Sequence, residues 1–277
     1  MEKHRKKLIK NVAVFDGHSS GLAQGKKIVS EDDIVTEITV DEVSEENFDE
    51  VFDGTGMVAM PGMMDAHVHM GCLFAKGEFP VDYATVLTVA KCKDALMAGF
   101  TTFRDAGSVS EGLKLAFDEG VLPEPRIYPC GAYISQTCGH GDSEYAHTYR
   151  DIQYRHPSST VLADGVPEII RAVREQFYRG ASHIKLMATE ILNRHEDIRL
   201  LFGTDMMITG PDYQVEQSED IRYYEKRFGT MRALRALTGT ANEVFALTTY
   251  QNPYPKGKIG VLEAGAFADL HKKLSPS

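Results

Sequence analysis

The pattern of apolar and polar positions divides the chain at Pro61. Before it, short apolar runs alternate with turn signals: residues 8–15 end at an Asp-Gly pair, and residues 34–40 alternate with period two. Such alternation is typical of strands, because successive side chains of a strand point to opposite faces. This part of the chain predicts a small β unit, interrupted by a solvated acidic loop over residues 41–50.

After Pro61 the pattern changes to strand followed by helix. Strands are predicted at residues 100–103, 126–130, 182–187 and 200–205. Helices are predicted at residues 83–97, 113–119, 231–237 and 241–247, and a third helix in chain order lies between Asp164 and Gly180. For the third helix we expect Asp164 as the N-cap, Pro167 in the first turn, and an apolar stripe of Ile169, Ile170, Val173 and Phe177. Repeated strand–helix units imply an α/β fold with a parallel sheet, most often a (β/α)₈ barrel.

Composition narrows the function classes. The chain has 277 residues and a formal net charge of −10, which argues against nucleic acid or an anionic membrane as the main partner. No run approaches the roughly 20 apolar residues of a membrane span. The four cysteines form no close C-x-x-C pair, and no signal-peptide pattern follows the basic first ten residues. We therefore expect a cytoplasmic protein with reduced thiols that acts on a small molecule.

Two histidines are the most informative candidates for chemistry. His67 and His69 end an apolar run and are separated by one residue, so on a strand they project from the same face. A single histidine on an apolar face is more often a core residue than a ligand. A pair at strand spacing, preceded by an acid and followed by Gly71, favours half of a metal site, because neutral imidazole suits zinc.

Residues 61–69, Pro-Gly-Met-Met-Asp-Ala-His-Val-His, resemble the first barrel strand of the metal-dependent amidohydrolase superfamily, in its imidazolonepropionase-related and dipeptidase-like branch. The resemblance implies a hydrolase of carbon–nitrogen bonds in small amides, cyclic amides or dipeptides, with zinc as the most suitable metal. It also implies a TIM-type (β/α)₈ barrel beside a small β-sandwich domain. We expect residues 1–60 and 250–277 to form the small domain, with its last strand cut short, and residues 61–249 to form the barrel.

The same resemblance assigns roles to three further residues. Asp205 matches the last barrel strand, whose aspartate binds metal and accepts a proton from the attacking water, although Asp also suits a helix N-cap. Lys185 matches the fourth strand, whose lysine forms a bridging carbamate in many relatives, and we favour this role over the alternative of a snorkelling lysine at the barrel mouth. His140 lies in a Gly-His-Gly-Asp loop and is a candidate for substrate binding or a structural turn. Arg104 and Asp105 stay outside the catalytic set.

The chain departs from the superfamily between Lys185 and Asp205. They are twenty positions apart, whereas a single βα unit with its return needs about 30 residues. About three βα units are therefore missing between residues 188 and 198, together with the histidines that would bind a second metal. His195 is the only histidine in this gap, and it lies in a polar run.

Two interpretations of this departure stay open. The chain is either a shortened, catalytically impaired copy that binds at most one metal, or a compact variant that completes its sheet as a homo-oligomer. We favour the shortened copy, in which an open sheet edge would promote association or poor solubility.

Overall fold

The computed structural model describes residues 5–70, 81–107, 109, 111–121, 125–139, 141–142, 160–187, 201–207 and 213–274. The chain divides into two compact units. One unit comprises Met1–Met64, Arg222–Leu247 and Tyr254–Ser277, and the other comprises Asp65–Ile221 and Thr248–Pro253. None of the helices within the described ranges has the length and apolarity needed to cross a membrane.

The first unit is built on a six-stranded mixed sheet. Its strands are β1 (Lys6–Val14), β2 (Ala23–Glu31), β3 (Ile34–Thr39), β4 (Glu50–Asp53), β5 (Met57–Pro61) and β12 (Leu270–Leu274). The order is β12-β5-β1-β2-β3, and β4 pairs with β1. The strands predicted for the first 60 residues are confirmed. The last described strand, β12, pairs antiparallel with β5 along all five of its residues.

Side chains from β1, β2, β3 and β5 form a buried cluster with one residue outside the sheet, Leu262. Its members are Val12, Val14, Ile28, Val35, Ala59 and Leu262. The acidic segment 41–50 is more ordered than a loop: it contains a one-turn 3₁₀ helix, Glu45–Asn47, and its last residue begins β4. Lys10 on β1 forms an ion pair with Glu45, which ties this segment to the sheet.

The second unit has a sheet of four strands in the order β11-β6-β7-β8, and its β11–β6 and β7–β8 pairs are parallel. These strands are β6 (Met63–His69), β7 (Phe100–Asp105), β8 (Arg126–Tyr128) and β11 (Met206–Met207). A separate parallel pair joins β9 (Tyr133–Ser135) and β10 (Thr160–Leu162). Its helices include α1 (Val81–Met97), α2 (Glu111–Asp118) and α3 (Val166–Tyr178), so the predicted succession of strand and helix is confirmed.

Three helices follow β11 in the chain. They are α4 (Tyr213–Phe228), α5 (Thr230–Leu237) and α6 (Gly239–Phe245), and a 3₁₀ segment, Ala246–Gln251, follows α6. The helices predicted at 231–237 and 241–247 correspond to α5 and to α6 with this 3₁₀ turn.

Two predicted strands are reduced to short contacts. Within residues 182–187 only Leu186 forms a β-bridge, to Ile134, supported by backbone hydrogen bonds of 2.9 and 3.0 Å. Residues 201–205 lie beside β6 without forming a regular ladder: Ala66 N–H donates to the Phe202 carbonyl at 2.9 Å. The predicted gap between residues 188 and 198, with His195, lies outside the described residues.

The N-terminus of α3 differs from its prediction. Gly165, at a φ of 81°, is the N-cap and makes no side-chain capping bond. Asp164 lies one residue too early, and its carboxylate accepts from the backbone N–H and the hydroxyl of Thr137. Ile169 and Val173 pack against a buried cluster as expected, whereas Ile170 is 43% exposed. A long-range loop contact has therefore taken the carboxylate that local helix chemistry would use.

Candidate metal centre

Strand β6 presents two imidazoles on one face. His67 and His69 are separated by one residue, and their ring centroids lie 5.5 Å apart. The residues between and around them, Ala66 and Val68, are almost fully buried on the opposite face. Because β6 is paired on both sides, by β7 and β11, its backbone holds the two rings in a fixed relation.

Asp205 brings a carboxylate to these rings. Its Oδ1 lies 3.0 Å from His67 Nε2 and 3.4 Å from His69 Nε2, and one donor atom from each of the three residues lies within 4.8 Å of the others. The Asp205 side chain is 72% exposed, so the group opens to solvent on one side. Three ligands with one open side match the coordination of a catalytic zinc.

Lys185 completes the group that the sequence predicted. Its Nζ lies 3.0 Å from His67 Nε2, although the two residues are 118 positions apart. Burial lowers the pKa of the Lys185 ammonium, and the Asp205 charge opposes that shift. A lowered pKa increases the fraction of neutral amine, which is the form that reacts with carbon dioxide.

Both imidazoles are neutral near pH 7. Burial, reinforced by the charge of Lys185, lowers the pKa of His67 to about 4, against the opposing effect of Asp205. Burial also lowers the pKa of His69, against the opposing effects of Asp205 and the Gly107 carbonyl. Neutral imidazole has a nitrogen lone pair to offer to a cation.

The donor set fits a divalent cation. His69 Nδ1 lies 3.3 Å from the Gly107 carbonyl, which assigns its proton to Nδ1 and leaves the Nε2 lone pair facing Asp205 Oδ1. A lone pair facing a carboxylate oxygen at 3.4 Å is repulsive until a cation or a proton lies between them. A divalent metal would relieve this repulsion at His69.

Gly107 and Tyr133 support the orientation of His69. Gly107 has a φ of 134°, and a Cβ added there would lie 2.4 Å from Tyr133 Cδ1. The Tyr133 ring meets the His69 ring edge-on at 6.4 Å. The close approach of this ring requires glycine, and glycine places its carbonyl against the imidazole.

Arg104 and Asp105, which the sequence does not place in the catalytic set, bind backbone groups. Arg104 donates to the Ala66 carbonyl at 3.1 Å. Asp105 is fully buried and accepts from the backbone N–H groups of Met70, Gly107 and Val109 at 3.1–3.3 Å. Burial raises the pKa of Asp105 to about 7, although these three hydrogen bonds oppose the shift. Asp105 thus supports the loop that carries the Gly107 carbonyl.

Two further histidines, His140 and His183, lie outside the three-residue group. His140, the predicted substrate-binding residue, lies outside the described residues. His183 was not singled out from the sequence: its Nδ1 lies 3.1 Å from Ser182 Oγ, and its buried Nε2 contacts no partner within the described part of the chain. Burial lowers the pKa of His183 to about 3, so this side chain is also neutral.

The chain combines parallel strands and helices with two histidines on one strand, and an aspartate and a lysine lie beside these histidines. This combination is typical of metal-dependent hydrolases. The chain belongs to the amidohydrolase family, whose sequence model matches residues 58–196, half of its length. The matched part includes both histidines and Lys185. Members of this family depend on bound metal.

A curated relative and two solved structures extend the comparison. The chain is 34% identical to the ochratoxinase of Aspergillus niger over 152 residues, which are 48% of this chain and 31% of the ochratoxinase. The chain therefore matches about a third of that relative's length. A crystal structure of an uncharacterized protein has a TM-score of 0.82 and 22% identity, over 96% of this chain and 92% of that one. A prolidase complexed with N-methylphosphonate-L-proline has a TM-score of 0.77 and 20% identity, over 98% and 93%. These similarities show a (β/α)₈-like α/β fold.

Proposed function

We propose that this chain hydrolyses carbon–nitrogen bonds of small amides, cyclic amides or dipeptides by means of a divalent metal, with zinc as the best match. The observation that carries the proposal is the convergence of His67, His69 and Asp205, whose donor atoms lie within 4.8 Å of one another. The Lys185 amine, 3.0 Å from His67 Nε2, supplies a fourth group. Family membership and the ochratoxinase and prolidase similarities support the same reaction class.

The residues of the site have distinct tasks in this proposal. A bound divalent cation would polarise the scissile carbonyl and make water a stronger nucleophile. His67 and His69 hold the cation as neutral ligands. Asp205 is a ligand and also accepts the proton of the attacking water, then delivers it to the leaving nitrogen. Its exposed carboxylate leaves room for substrate on the open side.

Lys185 acts as an anionic ligand after carbamylation. The neutral amine adds carbon dioxide, and loss of one proton from nitrogen leaves a carbamate with a single negative charge. Burial favours this reaction because it lowers the pKa of the ammonium. His140 is retained as a candidate contact for substrate.

The architecture in this proposal is an incomplete (β/α)₈ barrel over residues 61–249, with a small β-sandwich domain from residues 1–60 and 250–277. The substrate is a small molecule, in keeping with the prolidase that binds a proline analogue. Pairing with a second copy would cover an open sheet edge.

A catalytically impaired remnant is the second candidate. Only twenty positions separate Lys185 from Asp205, and within the described residues one three-residue group suits a metal. A chain with one metal and a reduced pocket would bind zinc without measurable turnover.

Metal content and activity separate these outcomes. Purified protein is analysed for zinc and manganese, and a panel of dipeptides, including proline dipeptides, and aryl amides is assayed with and without added metal. We expect one tightly held ion per chain, lost in His67→Ala and kept in His18→Ala, a change at an exposed histidine. Two ions per chain would refute the single-site proposal, and equal metal content in both variants would refute the assignment of His67. Bound metal without turnover would favour the remnant.

A further inference from the structure

An acidic residue is buried within the strand that carries the two histidines. Asp65 has 0% exposure, and it lies two residues before His67 on β6. Burial of a carboxylate in an apolar strand is costly unless hydrogen bonds compensate it. The compensating bonds of Asp65 therefore indicate what this residue does.

The hydrogen bonds of Asp65 join two distant segments of the chain. Its Oδ1 accepts from the backbone N–H of His67 at 3.0 Å and from that of Thr204 at 3.3 Å. Its Oδ2 accepts from the Thr204 hydroxyl at 2.8 Å. One carboxylate thus fixes the backbone of a histidine and the residue immediately before Asp205, across a separation of 139 positions.

Asp205 needs such support because its backbone is in an unfavourable conformation. Its φ is 54°, in the left-handed region that residues with a side chain rarely adopt, and Asp and Asn do so more often than the others. Its N–H donates to the His67 carbonyl at 2.7 Å. Strained conformations of this kind persist where surrounding contacts over-determine them. The conformation places the Asp205 carboxylate 3.0 Å from His67 Nε2.

We infer that Asp65 and Thr204 are positioning residues for the metal site. Their hydrogen bonds, the Asp65–Thr204 clamp, hold the Asp205 carboxylate against the two imidazoles and thereby set the affinity of the site for a divalent cation. The inference rests on the proposed function, because it assigns Asp205 as a ligand. It predicts that the clamp affects metal binding more than it affects the stability of the fold.

Cobalt(II) binding to the full chain tests this inference. Thr204→Val removes the clamp hydroxyl at constant size, and Thr204→Ser restores it. The matched control is Thr102→Val, at a fully buried threonine of β7 whose hydroxyl contacts no partner in the described part of the chain. We expect Thr204→Val to weaken cobalt binding by about 10- to 100-fold, the usual effect of losing an outer hydrogen-bond partner, and to alter the visible cobalt spectrum. Thr204→Ser and Thr102→Val should bind cobalt as the wild type does.

Amide hydrogen exchange on the metal-free protein gives a readout that does not require metal binding. In Thr204→Val the Asp205 N–H should exchange faster than in the wild type, because its bond to His67 is less well held. In Thr102→Val its exchange rate should be unchanged. If Thr204→Val matches Thr102→Val in cobalt affinity and in Asp205 exchange, the inference is wrong. If the wild type binds no cobalt but the Asp205 amide still exchanges faster in Thr204→Val, the metal function fails and the positioning role stands.

Asp65→Asn provides a second, independent variant. The asparagine Oδ1 can accept from the backbone N–H groups of His67 and Thr204, and its Nδ2 can donate to the Thr204 hydroxyl. We therefore expect cobalt affinity within a few-fold of the wild type, whereas Asp65→Leu should lose it. Equal cobalt affinity in Asp65→Leu and the wild type would contradict the clamp. A thermal unfolding scan of each variant identifies any loss of binding that comes from unfolding.

Discussion

Replacement of Gly107 by alanine is the most direct test of how the loop after β7 supports the metal site. Gly107 has a φ of 134°, and the new Cβ would lie 2.4 Å from Tyr133 Cδ1 and 3.1 Å from Cε1. Backbone strain of an L-residue in such a conformation costs about 1–3 kcal/mol. Displacement of a packed side chain costs about 1–3 kcal/mol more. Gly107→Ala should therefore lower the free energy of unfolding by about 2–6 kcal/mol.

The same substitution at Gly112 is a matched control with the opposite expected sign. Gly112 lies in α2, and a Cβ added there has no atom within 4 Å. Glycine in the middle of a helix is less stable than alanine by roughly 0.5–1 kcal/mol. Gly112 is the second residue of α2, so Gly112→Ala should raise the free energy of unfolding by no more than this amount. Urea denaturation followed by circular dichroism measures both variants against the wild type.

Cobalt affinity distinguishes damage to the metal site from a general loss of fold stability. The Gly107 carbonyl accepts from His69 Nδ1, so its displacement should weaken cobalt binding under conditions where Gly107→Ala is still folded. Gly112→Ala should bind cobalt as the wild type does. Equal stabilities of the two alanine variants would refute the steric argument, and unchanged cobalt affinity of folded Gly107→Ala would refute the role of the carbonyl.

Three further predictions follow from buried and charged groups. Asp105 has a folded-state pKa of about 7 against 3.8 for the ordinary carboxyl, so between these pH values the folded state binds a proton that the unfolded state has lost. As pH rises from about 4 to about 7, the wild type should therefore lose about 4 kcal/mol of unfolding free energy relative to Asp105→Asn. Parallel pH profiles of the two proteins in urea denaturation would contradict this. Lys185→Met removes the positive charge that helps to lower the pKa of His67. An NMR titration of the metal-free variant should therefore give a higher His67 pKa than that of the wild type. An equal or lower pKa would contradict the prediction. Phe202→Ala should lower the free energy of unfolding by about 3–5 kcal/mol, because the Phe202 ring is fully buried. Leu115→Ala, at a side chain with 57% exposure, should lower it by under about 1 kcal/mol. Similar unfolding midpoints of the two variants would show that residues 201–205 do not pack as described.

Local periodicity was sufficient to predict most of the helices and strands and half of the candidate metal site. The two-residue repeat of a strand depends only on neighbouring residues, so the projection of His67 and His69 from one face followed from their spacing. The apolar stripe of α3 and the turn signals before Pro61 were informative for the same reason. Short elements were less well predicted, since the segment around Lys185 forms one β-bridge where a strand was expected.

Competition between local and distant partners explains the error at the start of α3. Asp164 has the chemistry of an N-cap, but Thr137, 27 positions earlier, takes its carboxylate, and Gly165 becomes the cap. Nothing in the local pattern encodes which distant group will reach a side chain.

The amino-acid pattern alone therefore specifies the strand–helix order, the paired histidines and, by resemblance, the identities of the residues around them. The distances do not follow from that pattern: Lys185 reaches His67 across 118 positions, and Asp65 binds Thr204 across 139. The tautomer of His69 depends on a carbonyl 38 residues away. Such contacts require chain segments to pack against one another, because ligand geometry and pKa arise from burial and from neighbours that are remote in sequence.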